Sequence, residues 1–390
     1  MLRQMAVALA ISMASGGVAP AAEPGLTPTQ IRLGMVNAQS GAASGLGQGM
    51  RLGATAVFAD INANGGIHGR KIDLLVDDDA YEPNKAIDAT LKMIDQNVFA
   101  LFGFVGTPTA NAVLPIITET KTPLIGVFSG AMTLRQPVIP EVFNIRASYD
   151  DELDVLVTRF IEDRGAKRFA VFYQDDSFGL AGLNGTEKAL KKHGLKIVGK
   201  AAFQRGTNAV NGGLVTLIDS KPDVVIMVGP YAPLSAFIAS ARKEQLKASL
   251  ATVSFVGTDN LVNLIGTAGN DVVISQVVPF PGDRSLALVR ECQALLAKQT
   301  PAQDLGFVNF EGCITAKILV MALEKAGPNL TRSGLTEALE SLRDEDIGGL
   351  RVSLGPQNHQ ASTAVFLTII SGGKITPIQT IPKRAKSAAR

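Results

Sequence analysis

The chain has 390 residues, 46% of them apolar and 18% charged, with 37 basic against 35 acidic side chains, no Trp and four Tyr. That composition excludes a disordered chain and leaves room for two separate cores. The near-neutral balance offers nucleic acid or an anionic surface no basic face beyond Lys383, Arg384, Lys386 and Arg390, in a segment (379–390) expected to be a mobile tail.

Residues 1–22 have the form of a cleavable export signal: Arg3, an apolar run from Met5 to Met13, and the small-residue site Ala19-Pro20-Ala21. No Cys stands near that site to carry a lipid, and no later stretch is long and apolar enough to span a bilayer. In an oxidising compartment Cys292 and Cys313 either form one disulfide or remain two buried thiols on neighbouring helices. His68, His193 and His359 are scattered and form no ligand pattern, so neither a metal nor a cofactor is expected.

Ile31 to Val36 reads as a first strand, followed by the Gly-rich run from Gln39 to Gly49. Its spacing fails both the dinucleotide and the phosphate-loop patterns. Met50, Ala54, Val57, Phe58 and Ile61 recur at helical spacing, and Asn64-Gly65-Gly66 ends that helix. Strands follow at Ile72–Val76 and Phe99–Phe104, with a helix from Pro83 between them. Asp77-Asp78-Asp79 fits the donors of a turn and a helix start better than acid–base chemistry. Strand alternating with helix predicts a parallel sheet covered on both faces.

Between Leu101 and Met132, an apolar run of strand length ends twice in Gly plus a hydroxyl residue: Gly106-Thr107-Pro108, and Phe128-Ser129-Gly130. Thr107-Pro108 reads as N-cap and first residue of a helix whose free N–H groups would face a small anion such as a carboxylate. No general base or nucleophile accompanies them. A crossover rich in Pro, from Pro137 to Asp151, then leads into a second alternating half. Its strands are predicted at 168–173, 196–203, 224–228, 251–256 and 272–277. The loops at their carboxyl ends carry Asp175-Asp176-Ser177-Phe178-Gly179, Gly229-Pro230-Tyr231 and Gly257-Thr258-Asp259. Open α/β sheets place ligands there. Three helical segments (285–298, 309–325, 331–342) and strands at 350–354 and 363–370 complete the pattern.

These residues resemble the leucine/isoleucine/valine-binding protein family, the extracytoplasmic receptors of ABC importers. The resemblance rests on Ser40-Gly41, on the run from Asp60 to Lys71 with its Asn64-Gly65-Gly66-Ile67-His68-Gly69 core, on Asp77-Asp78, and on Phe143-Asn144-Ile145-Arg146. It implies the type I periplasmic-binding fold: two Rossmann-like α/β lobes with parallel sheets flanked by helices, joined by three hinge crossings. Lobe 1 would take 27–144 and 278–343, and lobe 2 would take 145–277 and 344–378. By the same resemblance Thr107 and the turn Phe128, Ser129, Gly130 would hold a ligand carboxylate. Asp259 would meet an ammonium, and Phe178 and Tyr231 would flank the ligand.

Asp259 could instead cap its own helix, and the two aromatics could be core. Phe128 stands where the family has a small residue, Phe178 where Tyr is common, and Leu46 where an aromatic is usual. Asp259 is one carbon shorter than the Glu of branched-chain binders. The expectation is a monomeric, non-catalytic periplasmic protein that passes a small polar solute, first a branched-chain or related amino acid, to a membrane permease; the alternatives are a ligand-sensing module for amides or small carboxylic acids and, last, an enzyme acting on a small carboxylate.

Overall fold

The computed structural model describes residues 23–383. The expected export signal and positions 384–390 of the expected tail lie outside the described residues.

The first sheet is built from β1 (Gln30–Asn37), β2 (Lys71–Asp78), β3 (Ala100–Phe102), β4 (Leu124–Ile125) and β5 (Val142–Phe143). These strands are all parallel, in the order β2-β1-β3-β4-β5. Helices α1 (Ser44–Ala63), α2 (Pro83–Asp95) and α3 (Thr107–Thr120) make the connections. The second half begins with α4 (Tyr149–Arg164), then β6 (Phe169–Gln174), α5 (Ser177–Lys192), β7 (Ile197–Phe203), α6 (Asn211–Asp219) and β8 (Val224–Val228). It continues through α7 (Tyr231–Lys243), β9 (Ser249–Thr252), α8 (Thr258–Ile265) and β10 (Val273–Gln276). The parallel part of this sheet runs β7-β6-β8-β9-β10, the same order as the first. Every residue of β8, Val-Val-Ile-Met-Val, is buried, as a strand covered on both faces requires.

The chain then returns to the first lobe with α9 (Ala287–Ala297), α10 (Phe307–Ala326) and α11 (Arg332–Glu340). Most of α10 is buried, and it lies so close to α1 that a Cβ on Gly53 would stand 1.9 Å from the Asn309 carbonyl oxygen. Cys292 of α9 and Cys313 of α10 are joined by a disulfide, which answers the choice the sequence left open.

A small hairpin, β11 (Glu345–Asp346) and β12 (Arg351–Val352), stays with this lobe. Ile347, Leu350, Val352, Leu354 and Ala361 join its core, alongside Ile31 and Phe310. The handover expected at residue 344 is therefore corrected to a point after Ala361, because the apolar side chains of the hairpin face the first core. The chain then adds β13 (Phe366–Ser371), antiparallel to β10, and β14 (Lys374–Ile378) to the second sheet.

Three crossings connect the lobes: one after β5, one after β10, and one between Ala361 and β13. The first and third run side by side, with Asn144 N donating to the His359 carbonyl (2.8 Å) and Ala361 N to that of Asn144 (2.8 Å). Among the described residues, no helix is long and apolar enough to cross a membrane.

Candidate functional site: the cleft between the lobes

The carboxyl ends of both sheets face one another, so the βα loops meet in the cleft. Helix α3 starts one residue earlier than the Thr-Pro pair suggests. Its N-cap is Gly106, at φ 105°, where a Cβ would stand 2.3 Å from the Tyr81 ring. The positive φ and the close ring both require glycine. Thr107 is thus the first residue of the helix and not its cap, which frees its hydroxyl. Thr107 Oγ1 lies 2.7 Å from Ser129 Oγ, and both residues are fully buried. Ser129 Oγ also accepts the Ala131 N–H at 3.2 Å. Two hydroxyls and the N-terminal turn of α3 make a donor-rich corner suited to a carboxylate.

Gly130 continues from that corner to the second lobe, where its carbonyl accepts the N–H of Tyr149 at 2.7 Å. The Tyr149 hydroxyl sits beside Ser129 without a hydrogen bond of good geometry, and burial pushes it up to about 12. Phe128 is buried under the Arg146 guanidinium, 4.5 Å from its ring centroid. Phe255 of the second lobe joins three rings: Phe178 at 4.3 Å, Phe128 at 5.6 Å and Tyr81 at 6.1 Å. Phe178 also packs on Tyr149 at 5.4 Å. It is aimed there because Asp176 caps α5, accepting the N–H of Phe178 at 2.9 Å.

Tyr231 and Asp259 occupy another part of the cleft. The Tyr231 hydroxyl accepts the Gly45 N–H at 3.1 Å, tying α7 to the Gly-rich loop. Asp259 Oδ2 accepts the N–H of Phe307 at 2.7 Å, at the start of α10. Burial raises the Asp259 carboxyl above its ordinary range, with the Phe307 bond opposing that rise. Asp259 also lines a cavity of about 450 Å³ with Gly45, Asn260 and Asn309. The structure therefore gathers Thr107, Phe128, Ser129, Gly130 and Phe178 in one place. It sets Tyr231 and Asp259 towards the α10 side.

Several groups went unread in the sequence. Tyr81 accepts the Gln174 amide N–H across the cleft at 3.2 Å, and Arg205 pairs with Glu82 at 2.5 Å. With the Tyr231 and Asp259 bonds, these show the lobes closed on each other. The signals for the buried charges were present: Arg146 follows the largely apolar Val142-Phe143-Asn144-Ile145, and Glu311 the largely apolar Phe307-Val308-Asn309-Phe310. Of the acidic run, Asp78 accepts the N–H groups of Gln39 and Ala80, both at 2.8 Å, as the turn reading expected. Asp79 is buried, and its carboxyl is raised to about 7, first by burial.

Residues 30–374 match the model of the periplasmic binding protein family, and the chain belongs to that family. Among its relatives, a possible leucine/isoleucine/valine-binding protein from Rhodopirellula baltica SH 1 is 36% identical. The match to that structure has a TM-score of 0.86 and covers 90% of this chain and 96% of that one. The Leu/Ile/Val-binding protein BraC3 of Rhizobium johnstonii is 24% identical over 358 residues, covering 90% of this chain and 94% of that protein. The fold is shared equally with a fatty acid ABC transporter substrate-binding protein from Thermomonospora curvata. There the identity is 21% and the TM-score 0.84, over 93% of this chain and 94% of that one.

Proposed function

We propose that the protein is an exported, periplasmic solute receptor of an ABC importer, without catalytic activity. It captures a small solute bearing a carboxylate, with amino acids first among the candidates, and presents a closed surface to the permease. The observation that carries this reading is the buried Thr107–Ser129 hydroxyl pair at the start of α3, enclosed by cross-lobe bonds. A carboxylate taken from water must have its charge met, and this corner meets it without a cation. Closure does the work through differential affinity for open and closed forms.

A zwitterion also needs its ammonium met, and Asp259 is our assignment for that role. A second reading, a receptor for small carboxylates or amides lacking an ammonium, is favoured by the hydrogen bond that already engages Asp259 with α10. A thermal-shift panel decides between them. The protein is unfolded and refolded to strip carried-over solute, then melted with leucine, valine, phenylalanine, benzoate, butyrate and acetamide. A ligand at about a thousand times its Kd stabilises by roughly 4 kcal/mol, a shift of several degrees. Shifts with amino acids alone establish the first reading. Shifts only with acids or amides establish the second and remove Asp259 from the ligand, and silence across the panel refutes both.

A further inference from the structure

The cleft holds one guanidinium between two carboxylates, and the two carboxylates differ in their surroundings. Arg146, on the first crossing, covers Phe128 of the first lobe and donates to Ser254 Oγ of the second. Its Nη2 lies 3.6 Å from Glu152 Oε1 and its Nε 3.6 Å from Glu311 Oε1. All three residues are buried. Glu152, on α4, accepts from Ser254 N (2.8 Å), Ser254 Oγ (3.0 Å) and Ser275 Oγ (2.6 Å), all within the second lobe. Glu311 hangs from α10 of the first lobe, and among the described residues no hydrogen bond reaches its carboxylate.

Parting the lobes leaves Glu152 with its three donors, because they move with it. Glu311 has, among the described residues, no donors of its own to travel with, and would regain water as the second-lobe groups across Arg146 move away. Closure therefore dehydrates Glu311 far more than Glu152. The charges that act on Glu311 are Arg146, Glu152 and Arg135. Arg135 spends its Nη donors on the carbonyls of Ser129, Ala131 and Arg146. Arg146 already faces a hydrogen-bonded carboxylate. A second ionised carboxylate in the same dry space is held by one long ion pair alone, so its neutral form is the easier one to enclose.

We propose that Glu311 is a proton-sensitive latch on the cleft: the lobes close more readily when Glu311 is protonated, so capture tightens as the medium becomes mildly acidic. This rests on the reading of the chain as a closing receptor, but not on which solute it takes. The direction agrees with the group's surroundings. In the closed form burial pushes Glu311 from its ordinary 4.5 up to about 7, with Arg146 opposing and Glu152 adding to the rise. A value raised on closing means proton uptake on closing. The advantage is complete below the open-state value and is lost as pH rises through the closed-state one. A shift of that size bounds the effect at about 300-fold in the closing equilibrium.

The test is small-angle scattering of the ligand-free protein from pH 8 to pH 5, which keeps the identity of the solute out of the measurement. Wild type should contract as pH falls, while Glu311→Gln should be as compact at pH 8 as wild type is at pH 5. Glu152→Gln leaves Arg146 to Glu311 and removes a charge that raises it, so the pH-dependent contraction should weaken. No contraction in wild type overturns the proposal. So does the same contraction in Glu311→Gln, which would assign it to another group titrating in that range, such as Asp79, whose buried carboxyl is raised to about 7. Should Glu311→Gln fail to fold, the carboxyl ¹³C titration of Glu311 in wild type decides. A midpoint clearly above the ordinary glutamate value supports the latch, and a midpoint at that value overturns it.

Discussion

Replacing both hydroxyls of the corner, Thr107→Val with Ser129→Ala, tests the carboxylate grip most directly. Each hydrogen bond to a charged acceptor contributes about 1.5–3 kcal/mol. Here the two hydroxyls are bonded to each other at 2.7 Å, so they act as a coupled pair and their losses will not simply add. The double variant should therefore weaken a carboxylate ligand by roughly 2–4 kcal/mol, about 30- to 1000-fold in Kd. Its fold should suffer little. Thr107→Val alone leaves the buried Ser129 hydroxyl with only the Ala131 N–H, and Ser129→Ala alone strands Thr107 Oγ1 and the Ala131 N–H together, whereas the pair leaves only the Ala131 N–H without its acceptor. The assay is calorimetric titration with the strongest hit of the solute panel, alongside the melting temperature of the free protein. A loss below about 1 kcal/mol with an unchanged melt would refute the grip.

Asp259→Asn keeps an oxygen for the Phe307 N–H and removes the charge. Amino-acid affinity should fall by at least about 2 kcal/mol while that of the matching des-amino acid holds; equal changes for both would take Asp259 out of ammonium recognition. Breaking the Cys292–Cys313 bridge, by Ser at both positions, should cost about 3 kcal/mol in a denaturant titration, given a sequence separation of 21 residues. Stability within about 1 kcal/mol of wild type would show that the bridge adds little. Asp79→Asn should stabilise the protein at pH 8 by on the order of 2 kcal/mol and much less at pH 5. The sign follows from a carboxyl raised from 3.8 to about 7 by burial: the penalty on its ionised form sets in above the unfolded value and is complete only above the folded one. Equal melting shifts at both pH values would contradict it.

Periodicity alone was enough for the two alternating halves. Strands buried on both faces need unbroken apolar runs, and helices need apolar residues at every third or fourth position, so both leave local marks. The short pieces were less legible. β5, two residues long, looked like part of a crossover. The strand expected to reach Val256 stops at Thr252, because Ser254 turns to meet Glu152. β14 escaped despite the Gly372-Gly373 turn before it, with both φ values positive.

For the cleft, the local pattern was enough to mark which loops stand at the strands' carboxyl ends, because Gly with a hydroxyl there forces a turn and starts a helix. Whether residues more than a hundred positions apart share that cleft was decided only by the tertiary structure. Closing two lobes brought Gln174 to Tyr81 and put Arg146 between Glu152 and Glu311. It also carried Asp259 to the first turn of α10. Such pairings depend on how rigid lobes dock around three crossings. The energy of a buried charge depends in turn on the partners that docking supplies, and no stretch of sequence records them.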